Sequence, residues 1–325
     1  MRTILVTGAS GIVGYGILRS LRACREGYRL IGTSIYDDSV APAFCDACEG
    51  APHTDDPGYI DWLLETIRRQ GVDLAIPGLE IDLFAWNQHR EALATAGARL
   101  LLNDARLVDD CRDKWLFYTR LREIDLPCRI DSALQGDFDT LAARFGLPFI
   151  LKPRRGFGAR GIVRVADAAG FAAHRAAFGP SLMAQPVVGD DAEEYTTAAF
   201  GDGAGSYHAC MTLRRKLARD GYTEKAEVVD SDDFAPTLAA LCTAFRPAGP
   251  TNFQFRRCHD GIRLLEINPR ISSATSIRTA FGYNESAMAA SWLLEGRSPV
   301  QPVIRHGRAV RYVEDFILHD DRLHL

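Results

Sequence analysis

Nowhere does the 325-residue sequence contain a run of about twenty consecutive apolar residues, so no segment is built to span a bilayer as a helix. A basic surplus is missing too. With 38 Lys and Arg against 42 Asp and Glu, the formal net charge is −4, which offers no field to draw nucleic acid or an anionic membrane. The longest basic cluster, Arg214-Arg215-Lys216, is local and suits a small-molecule site or a solvated loop. Eight cysteines are scattered, with one close pair, Cys45 and Cys48. No second Cys-x-x-Cys or close His pair completes a four-ligand zinc site, and His53 brings the count only to three. Reduced thiols in a cytoplasmic protein are therefore expected. No cationic leader precedes the first apolar run, Thr3-Ile4-Leu5-Val6, which sets the same expectation. There is no internal repeat, no low-complexity tract and no Gly-, Pro- or Ser-rich linker.

What is present has a clear rhythm. Over the first hundred residues, short apolar runs (3–8, 30–35, 74–78 and 99–103) alternate with helix-period segments (12–24, 59–69 and 83–96). That alternation predicts βαβ units and a parallel sheet. From about Asp113 the pattern changes. Helices are expected at 114–124, 138–145 and 168–177, with strands near 128–131, 148–153 and 161–165. Further strands near 181–185, 195–200, 206–213, 251–255 and 263–268 read as an antiparallel sheet covered by helices at 234–244 and 285–294. The organisation expected is α/β followed by α+β: a Rossmann-like unit over 1–110, a small α+β lobe over 111–184 and a C-terminal lobe over 185–325.

Between the first strand and first helix lies Thr7-Gly8-Ala9-Ser10-Gly11-Ile12-Val13-Gly14, with Asp37 and Asp38 after the second strand. A dinucleotide turn would look like this, since small residues let the backbone approach a pyrophosphate at a helix N-terminus. A nicotinamide oxidoreductase is thus the rival reading. A short-chain dehydrogenase would also need Tyr-x-x-x-Lys, and no tyrosine here has a lysine four residues on. The same glycines serve simply to pack helix against strand, and that reading is preferred.

The chemistry-bearing residues come later. Lys152 closes the apolar run Phe149-Ile150-Leu151 and precedes a glycine- and arginine-rich loop containing Gly156, Gly158 and Gly161, suited to cover a polyphosphate. In Leu264-Leu265-Glu266-Ile267-Asn268-Pro269-Arg270, alternation along a strand projects Glu266 and Asn268 to one face, with Leu265 and Ile267 expected in a core. Gln254, between Phe253 and Phe255, takes the same relation on a neighbouring strand. Three oxygen ligands on one face suit Mg²⁺, and Arg270 stands beside them to grip an anion.

This combination resembles the ATP-grasp superfamily, in the branch of carbamoyl phosphate synthetase large-subunit domains and amino-acid ligases. The resemblance spans nearly the whole chain and implies a Rossmann-like pre-ATP-grasp domain before a two-lobed ATP-grasp domain. It implies that Lys114 and Lys152 contact nucleotide phosphates. It further implies that Gln185, Val187 and Val188 form the adenine hinge and that Glu194 binds the ribose. Gln254, Glu266 and Asn268 would hold Mg²⁺, or Mn²⁺ in its place, and Arg270 would stabilise the reacting phosphoryl group. The hinge departs from the family in having Gln185 where an acid is common. The implied activity is an ATP-dependent carboxylate–amine ligase acting through an acyl phosphate on small molecules, the homodimer being the default assembly. Proximity to these motifs nominates Arg214, Arg215, Lys216, Ser272, Ser273 and Arg278 for substrate. A non-catalytic nucleotide-binding protein is the remaining alternative.

Overall fold

The computed structural model describes residues 1–156 and 161–317. Among them the N-terminal part forms a parallel sheet of β1 (Thr3–Val6), β2 (Arg29–Ser34), β3 (Ala47–Gly50), β4 (Leu74–Ile76) and β5 (Arg99–Leu100), in the order β3-β2-β1-β4-β5. Helices α1 (Ile12–Arg22), α2 (Tyr59–Gln70), α3 (Glu80–Gln88) and α4 (Arg90–Ala94) link the strands, as the alternating rhythm predicts. The single helix expected over 83–96 is two, divided at His89, and β3 was not anticipated because four residues with an exposed edge carry little apolar signal.

The glycine turn has a packing cause. Gly8 has φ +57°, a left-handed value that favours glycine. A Cβ on Gly14 would lie 2.2 Å from the Gly8 carbonyl oxygen, and one on Gly78 would lie 2.0 Å from that of Thr7. Only glycine lets α1 and the β4–α3 turn come this close to β1.

Helices α5 (Ala105–Arg112) and α6 (Lys114–Glu123) follow, each N-capped by an aspartate: Asp104 accepts from the Leu107 amide and Asp113 from the Trp115 amide. Then come α7 (Phe138–Phe145) and α8 (Ala168–Ala172), packed on a small antiparallel sheet of β6 (Phe149–Pro153), β7 (Val163–Val165) and β8 (Leu182–Pro186), ordered β7-β6-β8. The strand expected at 128–131 is irregular; the pairing there is a lone bridge between Ala133 and Ala184.

The largest sheet is antiparallel throughout. It holds β9 (Glu194–Asp202), β10 (Tyr207–Leu217), β11 (Thr223–Val229), β12 (Ala248–Cys258), β13 (Gly261–Asn268) and β14 (Arg308–Val310), ordered β13-β12-β9-β10-β11-β14. Helix α9 (Ala235–Phe245) buries Leu238, Leu241 and Phe245 against Tyr195, Phe253, Phe255 and Ile267. Helices α10 (Thr275–Ala280) and α11 (Glu285–Glu295) lie between this sheet and α1, with Ala289 and Ala290 sharing a core with Ile17 and Leu21. Asn103 joins the two large sheets: its Nδ2 donates to Thr251 Oγ1 at 2.7 Å, and its Oδ1 accepts from the Ala248 amide at 2.7 Å. None of the helices among the described residues is long and apolar enough to cross a membrane.

Candidate functional site

Between the small sheet and the open face of the large one runs a cleft of about 730 Å³. Strand alternation supplies one wall. Phe253 and Phe255 turn into the core under α9, so Asn252, Gln254 and Arg256 face outward. Gln254 stands directly opposite Glu266 on β13, Asn252 opposite Asn268, and Arg256 opposite Glu194 on β9. The carboxylate and amides are thus brought together by ladder register.

One detail departs from simple alternation. The register of β12 and β13 slips after Gln254, which pairs with Glu266 while Phe255 pairs with Leu264. The extra residue is Leu265, a β-bulge on β13. Leu264 therefore takes the core position expected of Leu265, and Leu265 lines the cleft. Its carbonyl accepts from Lys152 Nζ at 3.4 Å.

Lys152 reaches the cleft from β6, and burial pushes its pKa down to about 8 despite the attraction of Glu266. Burial acts on Glu266 in the opposite direction, but Lys152, Lys114, the Asn268 amide and Arg215 together hold its carboxyl below the usual range. Asn268 Nδ2 donates to Glu266 Oε1 at 3.1 Å. Lys114, at the start of α6, donates to the Gly156 carbonyl at 2.6 Å, so it stands where the glycine loop begins. Among the described residues, seven basic side chains (Lys114, Lys152, Arg164, Arg215, Lys216, Arg256 and Arg270) line the cleft against four acids (Asp191, Glu194, Asp220 and Glu266). An excess of fixed positive charge in a partly desolvated space favours a polyanion.

Gln185, Val187, Val188 and Glu194 also line the cleft. Gln185 is buried and donates to Ser132 Oγ at 2.8 Å. The Glu194 carboxylate is gripped from both sides, by Arg215 Nη2 and by Arg256 Nη2, each at 2.9 Å. Arg215 Nη2 also donates to Gln254 Oε1 at 2.6 Å, so a guanidinium already satisfies that amide oxygen. Ser272, Ser273 and Lys216 line the same space.

Three nominated residues stand elsewhere. Arg214 lies on the opposite face of β10 from Arg215, half exposed and paired with Glu227 at 2.6 Å, because neighbours on a strand point to opposite sides. Arg278 is fully buried behind the cleft, where it donates to Ser272 Oγ, Thr196 and Asn252 Oδ1 and faces Glu285 at 3.8 Å. Gly161, with φ +75°, turns the chain into β7 rather than lining the cleft, and Gly158 lies outside the described residues.

Sequence reasoning missed Arg256, though it shares the face of Gln254 two residues on and the same alternation would have found it. It also missed Asn252, whose Oδ1 accepts from Thr196 and Arg278 while its buried Nδ2 has no partner among the described residues. Glu80 was missed for a different reason. It opens α3, far from these motifs in the chain, yet accepts from Arg270 Nη2 at 3.2 Å and shares a small cavity with Lys114, Glu266 and Asn268. Nothing local marks it. Away from the cleft, Cys45 and Cys48 adjoin, and hydrogen bonding from Cys48 pulls the Cys45 thiol down to about 7.

The comparisons agree with this architecture. Residues 181–316 match a family model described as ATP-grasp in the biosynthetic pathway with Ter operon. A search of curated protein sequences finds no match. Among solved structures, N5-carboxyaminoimidazole synthetase from Staphylococcus aureus complexed with ADP superposes with a TM-score of 0.72, at 16% identity, over 93% of this chain and 80% of that one. Biotin carboxylase from Campylobacter jejuni gives 0.71 at 17% identity, over 94% and 74%. L-amino acid ligase from Bacillus licheniformis gives 0.66 at 14% identity, over 94% and 75%.

Proposed function

We propose, taking the ATP-grasp fold as the premise, that this chain is an ATP-dependent ligase joining a carboxylate to an amine through an acyl phosphate. The observation that carries the proposal is the cross-strand set Gln254, Glu266 and Asn268 facing Lys152 across the cleft, with Arg270 beside it.

The donor set fits a hard cation that arrives with its nucleotide. It offers one carboxylate and two amide oxygens, that of Gln254 once Arg215 releases it, and neighbouring ammonium groups already offset the carboxylate charge. Gln254, Glu266 and Asn268 would hold Mg²⁺, or Mn²⁺ in its place, and the ion would neutralise charge on the β- and γ-phosphate oxygens. Lys114 and Lys152 would bind those phosphates. Val187, Val188 and the backbone near Gln185 would receive the adenine. Glu194 would meet the ribose only if it gave up part of its grip on Arg215 and Arg256, so its role there is the least supported by the geometry.

In the reaction a carboxylate oxygen attacks the γ-phosphorus in line, and the bond to the β–γ bridging oxygen breaks as ADP leaves. Arg270 and Lys152 stabilise the equatorial charge. The amine nitrogen then attacks the acyl carbon, loses a proton, and inorganic phosphate departs. Arg215, Ser272 and Ser273 are proposed on the carboxylate side.

ATP titrated by calorimetry with and without Mg²⁺ tests the nucleotide site. The expected result is Mg-dependent binding that Glu266→Ala weakens at least tenfold. Hydroxylamine trapping then tests the chemistry, because an acyl phosphate yields a hydroxamate. ATP binding without hydroxamate or ADP release from any carboxylate offered would replace the ligase with a non-catalytic nucleotide-binding protein.

A further inference from the structure

The Cys-x-x-Cys pair stands at the edge of the N-terminal sheet, where Cys45 precedes β3 and Cys48 lies within it. Register sets Cys48 beside Gly32 on β2. Partners in a parallel ladder present their side chains to one face, with strands about 4.8 Å apart. Gly32 has no side chain to fill its share of that face. A Cβ there would lie 3.1 Å from Cys45 Sγ, so the Cys45 sulfur takes the place and stands beside the Cys48 thiol, with which it hydrogen-bonds. The chain on either side of Cys45 is held. Phe44 stacks on Tyr15 with ring centroids 5.3 Å apart. The Asp46 amide donates to the Leu30 carbonyl at 2.8 Å, and the Asp46 carboxylate accepts from the Leu30 amide at 2.7 Å. Two sulfurs already in contact on an anchored backbone lose little freedom when they are joined.

Their surroundings set these two apart from the other six cysteines. Burial pushes up the thiols of Cys24, Cys111, Cys128, Cys210, Cys242 and Cys258, which keeps them protonated and inert. Hydrogen bonds from Cys48 and from the Gly32 amide instead favour the Cys45 thiolate, and Cys48 is exposed. We propose that Cys45 and Cys48 form a redox modification site, a dithiol that a peroxide converts to an intrachain disulfide. The Cys45 thiolate attacks one peroxide oxygen, the O–O bond breaks, and the other oxygen leaves as hydroxide. Cys48 then gives up its proton and attacks the Cys45 sulfur; the S–O bond breaks and a second hydroxide leaves. The protons of the two thiols turn both hydroxides to water, and the two electrons lost by sulfur are gained by the peroxide. Neither thiol lines the cleft, so this chemistry stands whatever the cleft catalyses.

The test is treatment of the reduced, folded protein with hydrogen peroxide, quenched by alkylation and read by intact mass and peptide mapping. The expected product is a single chain that has lost two hydrogens and keeps six of its eight thiols. Its link lies in the peptide that holds residues 45–48, and dithiothreitol restores all eight thiols. Cys48→Ser, which lacks the second thiol, is expected to accumulate a Cys45 sulfenic acid that dimedone traps. Cys45→Ser is expected to react roughly tenfold more slowly, because the remaining thiol ionises less. Eight free thiols after a treatment that fully oxidises free glutathione, or a disulfide that joins other cysteines or two chains, overturns the site. Equal rates in the two variants overturn Cys45 as its attacking thiol. The wild-type reading needs no substitution, so it stands even where a variant fails to fold.

Discussion

Lys152 is the residue whose ionisation is most finely poised. Its pKa of about 8 means that the free protein carries the ammonium below pH 8 and loses it above. A polyphosphate prefers the charged form, so binding raises this pKa and takes up a proton. ATP affinity is therefore expected to be flat below about pH 7 and to fall as pH rises through 8, by up to about tenfold per unit. Calorimetry across pH 6.5 to 9.5 measures this, and Lys152→Arg, whose guanidinium stays charged, is expected to flatten the profile. A slope that survives in the arginine variant would assign the proton elsewhere. The stability effect has the opposite sign. The folded pKa lies below the unfolded value of about 10.4, so the unfolded chain binds more protons between the two, and this lysine's contribution to stability rises with pH in that window.

At the scale of elements, the turns that join β1 to α1 and β4 to α3 interlock through glycine. Gly14→Ala and Gly78→Ala each drive a Cβ into backbone rather than into a side chain that could move aside. Each is expected to lower stability by on the order of 1–3 kcal/mol, read from the urea midpoint. An alanine at position 14 tolerated without loss would return the glycine spacing of this turn to a ligand-based explanation. The β13 bulge is the other element-scale feature that matters. Periodicity places Glu266 and Asn268 on one face, and does so correctly, but a bulge is invisible to periodicity. Only the pairing of β13 with β12 reveals that Leu264 replaces Leu265 in the core.

At the scale of the molecule, the two large sheets are held together by Asn103 and by α10 and α11 against α1. Asn103→Ala would leave the Ala248 amide and Thr251 hydroxyl without their present partner. The expected cost is on the order of 1–3 kcal/mol per group left unsatisfied. Faster hydrogen exchange at Ala248 than in the wild type would show that the loss is local to the junction. Unchanged exchange and an unchanged urea midpoint would mean that the helices carry the junction alone. The fully buried Arg278–Glu285 pair sits in the same region, under the wall formed by Asn252 and Ser272, and turns what the sequence suggests as a substrate arginine into internal support.

The sequence by itself determined the alternating β-α order of the first hundred residues, the antiparallel character of the largest sheet, and the strand face shared by Glu266 and Asn268. These follow from local periodicity, which a chain carries wherever it folds. Tertiary structure decided what depends on partners distant in the chain. It brought Glu80 to Arg270 across 190 positions. It paired Glu194 with Arg215 and Arg256, sent Arg278 into the interior, and buried Asp82 against the hydroxyls of Thr7 and Thr54. Such pairings are set by which elements pack together, and charge compensation between them leaves no mark in the residues on either side of each.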